Sequence, residues 1–127
     1  MRATEGISPM QLTITAREIQ EVVILELSGR VVAGEEVDSV RKMVHDLVDH
    51  GHKKVALNLD QVARIDSTGI GMLVEAVIYT VKQGGRLILY KLPRLVHNIL
   101  STHRLLQAFE ICATEEEAIG ALTKAAA

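Results

Sequence analysis

The chain opens on a period of two. Leu12, Ile14 and Ala16 alternate with Thr13, Thr15 and Arg17, the pattern of an edge strand with one covered face. Residues 22–27 form a denser apolar run, which predicts a second strand paired with the first through a turn near residues 18–21. The period then changes. Val37, Val40, Val44, Leu47 and Val48 mark a helix over about residues 35–50, with Glu35 and Glu36 at its positive end and Gly51 as its stop. Val55, Leu57 and Leu59 predict a short buried strand, residues 64–71 a tight turn, and Ile70, Leu73, Val74, Val77, Ile78 and Val81 one apolar face of a helix ending at Gly84-Gly85. A strand at residues 86–91, a break at Pro93 and a helix carrying Leu95, Val96, Ile99 and Leu100 follow. The pattern closes with a strand at residues 108–112 and a helix carrying Ala118, Ile119 and Leu122, opened by the capping box Thr114-Glu115-Glu116-Glu117.

Strands alternating with helices imply an α/β layer structure. The expected sheet is mixed and mostly parallel, of about five strands with an antiparallel edge hairpin, and about four helices cover it. Residues 10–124 read as one domain, since no linker or repeat divides them. Residues 1–9 carry Gly, Ser, Pro and Thr without periodicity and read as a flexible tail.

Composition narrows the function classes. With 48% hydrophobic but only 2% aromatic residues among 127, the core is aliphatic, and the chain is long enough to bury it without disulfides. A net charge of −2 and the near absence of stacking side chains argue against direct nucleic-acid binding. The single cysteine, Cys112, cannot form an internal disulfide and reads as a reduced, buried thiol. No apolar stretch approaches a membrane span and no signal pattern opens the chain, so the expected location is the cytoplasm.

The chemistry concentrates at Asp66-Ser67-Thr68-Gly69-Ile70-Gly71, between a buried strand and a periodic helix. Ser67 lies at the helix mouth, where a hydroxyl caps free backbone N–H groups and a phosphate would face the positive end of the helix dipole. Capping alone is an ordinary use of such a serine. Gly69 and Gly71 sit where glycine costs about 1 kcal/mol relative to alanine. Either another molecule approaches there or the helix packs closely on its own sheet. Asp66 suits an Asx-type turn or a role in orienting the serine.

Three chemical patterns fail on inspection. A nucleophile elbow needs glycine two residues before its serine, and Ile65 stands there. His45, Asp49, His50 and His52 lack both an HExxH pattern and a thiolate, and histidines near a helix C-terminus are favoured by the dipole alone. Gly84-Gly85 has no lysine in a phosphate-loop pattern. No enzyme activity, metal or cofactor is expected.

The hexapeptide in this setting resembles the D-S-x-G-[IL]-G signature of the STAS family, the anti-sigma factor antagonists of bacteria. Leu27-Ser28-Gly29-Arg30, Gly84-Gly85-Arg86-Leu87 and Phe109-Glu110-Ile111 extend the resemblance from about residue 10 to residue 122. It implies a non-enzymatic partner-switching protein that regulates transcription indirectly. Ser67 would be phosphorylated by an anti-sigma factor serine kinase and restored by a phosphoserine phosphatase. Thr68, as a second hydroxyl, would position the loop, and ATP would belong to the kinase. Asp66, Thr68, Gly69, Ile70 and Gly71 would form the phosphorylation loop and partner surface. Arg30, Val31 and Val32 join that surface but depart from the family, where an acidic residue, an apolar one and aspartate are frequent; Val31 and Val32 are then expected as exposed apolar contacts. Arg104 stands where glycine is frequent. A homodimer is compatible with this reading. The alternative is a scaffold or accessory subunit, in a stressosome-like assembly or beside a lipid-transport ATPase, docking without a phosphorylation cycle.

Overall fold

The computed structural model describes residues 3–4 and 11–124. Its elements are β1 (Ala3–Thr4), β2 (Leu12–Ile19), β3 (Val22–Val31), α1 (Glu35–Asp49), β4 (Lys54–Ile65), α2 (Ser67–Lys82), β5 (Arg86–Tyr90), α3 (Arg94–Thr102), β6 (Glu110–Cys112) and α4 (Glu115–Thr123). The sheet order is β1-β2-β3-β4-β5-β6. β1, β2 and β3 pair antiparallel, and β3 through β6 pair parallel. The five full strands, the edge hairpin and the four helices match the expected mixed α/β architecture. β1 adds a two-residue strand where a loose tail was expected; the rest of residues 1–9 lies outside the described residues.

Alternation decides the two faces. Leu12 and Ile14 of β2, Val23, Leu25, Leu27 and Val31 of β3 and Leu87 and Leu89 of β5 point to one side. There they meet Val37, Val40, Val44 and Val48 of α1, Leu73 and Ala76 of α2, and Val96 and Leu100 of α3. The opposite side is smaller: Val22, Ile24, Ala56, Ile88 and Tyr90 lie under Ala118 and Leu122 of α4. Beside that cluster the Tyr90 hydroxyl donates to Glu115 at 2.9 Å, and Arg17 bridges Glu115 and Glu26. Burial, with the bond to Glu115, pushes the Tyr90 hydroxyl well above the ordinary tyrosine range.

β4 is longer than the sequence suggested because two bulges break its alternation. Pairing with β3 shifts between Glu26 and Ser28 and again between Gly29 and Arg30, each time with an extra residue on β4. Leu59, Val62 and Ile65 therefore all face the main core at spacings of three, and the strand runs to Ile65. Arg64 and Ile65 belong to the strand, and residues 67–71 to the helix. The expected turn contracts to Asp66 alone.

Three helices end in the same way. In α1, His52 N–H reaches Leu47 C=O at 2.9 Å and Gly51 N–H reaches Val48 C=O at 3.0 Å, with Gly51 at φ 92°. α2 repeats the motif at Gly84-Gly85, and α3 at Arg104-Leu105, where Arg104 takes the left-handed conformation at φ 57° without being glycine. The helix ending survives the arginine. After it, a single 3-10 turn at Leu106–Ala108 replaces the first part of the expected last strand, leaving three residues to pair with β5. Ile111 is exposed there and Cys112 half-buried, so the thiol is less enclosed than expected.

Candidate functional site

The apolar face of α2 differs from the expected one. Gly69, Met72, Leu73, Ala76 and Thr80 meet the sheet, at offsets of three, four, seven and eleven, and Ile70 is buried beside them. Val74 and Val77 are half-buried, while Ile78 is 48% and Val81 56% exposed. The helix carries apolar residues on two sides, and periodicity alone selected the wrong centre. Thr80 is buried at no cost in unmet hydrogen bonds, because its hydroxyl donates to Ala76 C=O at 2.7 Å.

At the start of α2 the capping residue is Asp66, not Ser67 as expected. Asp66 is extended, at φ −108° and ψ −178°, and its carboxylate accepts from Gly69 N–H at 2.8 Å and from Ala33 N–H at 2.9 Å. Asp66 N–H in turn donates to Val31 C=O at 3.4 Å. One side chain thus fastens the helix start to the loop after β3. The Ala33 N–H is the largest influence and holds the Asp66 carboxyl below the usual aspartate range, opposed by desolvation and helped to a lesser degree by the Gly69 N–H.

With the cap supplied by Asp66, Ser67 occupies the first helical position. It is exposed, and among the described residues its hydroxyl enters no hydrogen bond. Thr68 is exposed beside it. The two glycines separate in role: a Cβ on Gly69 would lie 2.4 Å from Val31 O and 2.7 Å from Ile65 Cγ1, whereas one on Gly71 would meet nothing within 4 Å. Gly69 is buried and required by close packing of α2 on the sheet, while Gly71 is open to solvent. Val31 is also not the exposed contact expected of it, being buried at 1% exposure with its side chain in the main core. Val32 and Arg30 are half-buried.

Ser67 stands on the rim of a cleft of about 570 Å³ between α2 and the end of α3. Ile65, Ile70, Val74, Ile99 and Leu105 give it apolar walls, and Asp66, Ser67 and His103 its polar edge. The sequence reading missed this cleft, since its walls come from segments far apart in the chain. His103 shares the cleft with Ser67, yet no hydrogen bond joins them among the described residues. The Asp66 carboxylate bonds backbone N–H groups, not an imidazole. A nucleophilic relay is not assembled here.

His45 and His50, near the end of α1, have partners of their own, His50 Nδ1 lying 2.7 Å from Asp46 C=O. His45 stacks on Tyr79 of α2 with ring centroids 3.8 Å apart and planes 7° from parallel, and its Nε2 lies 3.0 and 3.1 Å from the Glu75 oxygens. The Tyr79 hydroxyl donates to Asp49. These residues clasp α1 to α2. No group of three or more metal-ligating side chains occurs among the described residues, and no helix among them is long and apolar enough to cross a membrane.

Comparison with known proteins agrees with the fold. A putative anti-sigma factor antagonist from Thermotoga maritima superposes with a TM-score of 0.75 at 26% identity, over 86% of this chain and 93% of its own. The anti-sigma factor antagonist SpoIIAA in its unphosphorylated form gives 0.72 at 22% identity, over 86% and 95%. The Bacillus cell fate determinant SpoIIAA in the phosphorylated form gives 0.68 at 22%, over 86% and 98%. No protein of curated function matches the sequence. The STAS domain model matches residues 13–118, and the chain belongs to the STAS domain family.

Proposed function

We propose that this chain is an anti-sigma factor antagonist of a partner-switching pathway, with Ser67 as its phosphorylated residue. The observation that carries the reading is the free, exposed Ser67 hydroxyl at the first position of α2, in a corner that Asp66 holds rigid without its help. The likeness to a putative anti-sigma factor antagonist at 26% identity supports it.

The physics of the switch follows from that placement. A phosphate adds about −1.5 to −2 charges, which the positive end of a helix tolerates, so the fold survives modification. The effect is felt by whatever docks there. A partner that seats an apolar side chain in the cleft and covers Ser67 would have to bury a doubly charged group without a counter-charge. Unmodified Ser67 permits binding of an anti-sigma factor serine kinase; phosphoserine releases it, and a phosphatase restores the first state. The protein itself catalyses nothing, and it acts in the cytoplasm, where the kinase finds its ATP.

The test is affinity for the kinase that co-purifies from its own cells, measured by titration calorimetry with Ser67→Ala and Ser67→Asp. Ser67→Ala is expected to bind as the native chain does and Ser67→Asp at least about tenfold more weakly, a difference of about 1.4 kcal/mol. Equal affinity for both variants would count against the switch and favour a scaffold or accessory subunit.

A further inference from the structure

Among the described residues, the smaller face of the sheet is only half covered. α4 lies over Val22, Ile24, Ala56 and Ile88, but toward the ends of β3 and β4 nearest Ser67 the face carries Thr13, Ser28, Arg30, Gln61 and Arg64. Register places them together: Thr13 pairs with Ser28, Ser28 with Gln61, and Arg30 with Arg64. Paired residues share a face. Thr13, Ser28, Gln61 and Arg64 are exposed and Arg30 is half-buried. The patch offers two guanidinium groups, two hydroxyls and an amide, whose Nε2–H donates to the neighbouring Asp60 carboxylate at 2.8 Å, and no aliphatic side chain.

The arginines are what make it unusual. Neighbouring strands lie about 4.8 Å apart, so two like charges facing each other across β3 and β4 oppose folding. Arg17, on the same face nearer α4, is neutralised by Glu26 and Glu115. Neither Arg30 nor Arg64 forms an ion pair among the described residues, and Arg30 Nε is shut off from solvent with no hydrogen-bond partner. Planar guanidinium groups are suited to paired contacts with carboxylates. The patch is also continuous with the Ser67 corner: Arg30 precedes Val31, whose C=O accepts from Asp66 N–H, and Arg64 lies two residues before Asp66.

We infer that this uncovered half-face is a second docking element, which receives an acidic segment of the protein partner that engages Ser67. The inference rests on the proposed function for the partner's presence at that corner, and charge complementarity selects the segment. It assigns the two arginines a share in choosing the partner, separate from the on–off role of Ser67.

The experiment uses the full chain labelled with nitrogen-15 and a hexaglutamate peptide as the probe, at low salt, with inorganic phosphate and phosphatidylserine vesicles run alongside. Peptide-induced amide shifts are expected at Thr13, Ser28, Arg30, Gln61 and Arg64. Affinity should fall about tenfold in the doubly reversed variant Arg30→Glu/Arg64→Glu. Arg64→Gln guards against a folding artefact: it should bind at an intermediate level and melt no lower than the native chain, because it relieves a like-charge pair. Shifts centred elsewhere, unchanged affinity after charge reversal, or a response to phosphate or vesicles equal to that for the peptide would overturn the inference. Because the peptide titration does not involve the kinase, its failure leaves the Ser67 affinity test standing, and a negative Ser67 test leaves the titration interpretable.

Discussion

The starts of α2 and α4 are capped alike and charged differently. In α4 the Thr114 hydroxyl accepts from Glu117 N–H at 3.1 Å, and Glu117 reaches back to Ala113 N–H at 3.0 Å, one residue before the N–H a capping box would use. Glu115, Glu116 and Glu117 fill its first turn, and α1 likewise begins with Glu35, Glu36 and Asp38. α2 has no acidic residue in its first turn; it has Ser67 and Thr68. Carboxylates complement the dipole permanently at α1 and α4, whereas α3, like α2, has none in its first turn. At α2 the cap residue Asp66 bonds two backbone N–H groups, and the first turn beyond it presents hydroxyls, to which charge can be added and from which it can be removed. The starts of α1 and α4 are built for stability, and that of α2 is the one that the proposed function leaves open to modification.

Substitutions at the α2 corner sharpen that contrast. The largest effect is expected for Gly69→Ala, whose methyl group would press on Val31 O at 2.4 Å; calorimetric melting should show a loss of about 3 kcal/mol. Gly71→Ala, two residues on with open space around it, should instead gain about 0.5–1 kcal/mol. If the two variants behaved alike, the assignment of one glycine to packing and the other to solvent would fail.

Next in size is Asp66→Ala, which removes the cap and its bond to Ala33 and should cost about 1–2 kcal/mol at neutral pH. The sign of its pH dependence follows from the carboxyl's depressed native value. Its contribution is complete above the unfolded aspartate value and fades as pH falls through the lower native one. The stability gap between Asp66→Ala and the native chain should therefore close below about pH 4. A gap that persisted in acid would mean that the ionised carboxylate is not what fastens the corner.

The smallest effect concerns Arg104 at φ 57°. Arg104→Gly should stabilise the end of α3 by about 0.5–1 kcal/mol, seen as a small rise in melting temperature, since glycine adopts that conformation without strain. No change would mean that the arginine side chain compensates through contacts of its own.

Much of this architecture was legible because its signals are local. Glycine stops at Gly51 and Gly84, the carboxylates opening α1 and the Thr114 cap all lie within a few residues of the element ends they specify. The failures are non-local or degenerate. The bulges in β4 broke the period-two signal after Leu59, so the strand seemed to end too soon. α2 is apolar on more than one side, and only the sheet decides that Ala76 and Thr80 turn inward while Ile78 and Val81 face solvent. Asp66 and Ser67 are adjacent and both favoured as caps, so the preference of serine for that position pointed one residue too far along. The cleft beside Ser67 needed Ile99 of α3 and Leu105 from the segment after it, which no spacing around residue 67 could reveal.

The central claim is that Ser67, free of structural duty at the mouth of α2, is the residue that carries the signal. Intact-mass measurement and peptide mapping of the protein isolated from its own cells test it most directly. A fraction of the chain carrying one phosphate, mapped to Ser67, is the predicted result. A chain uniformly unmodified in all growth conditions, or a phosphate mapped to Thr68 or elsewhere with Ser67 bare, would contradict it.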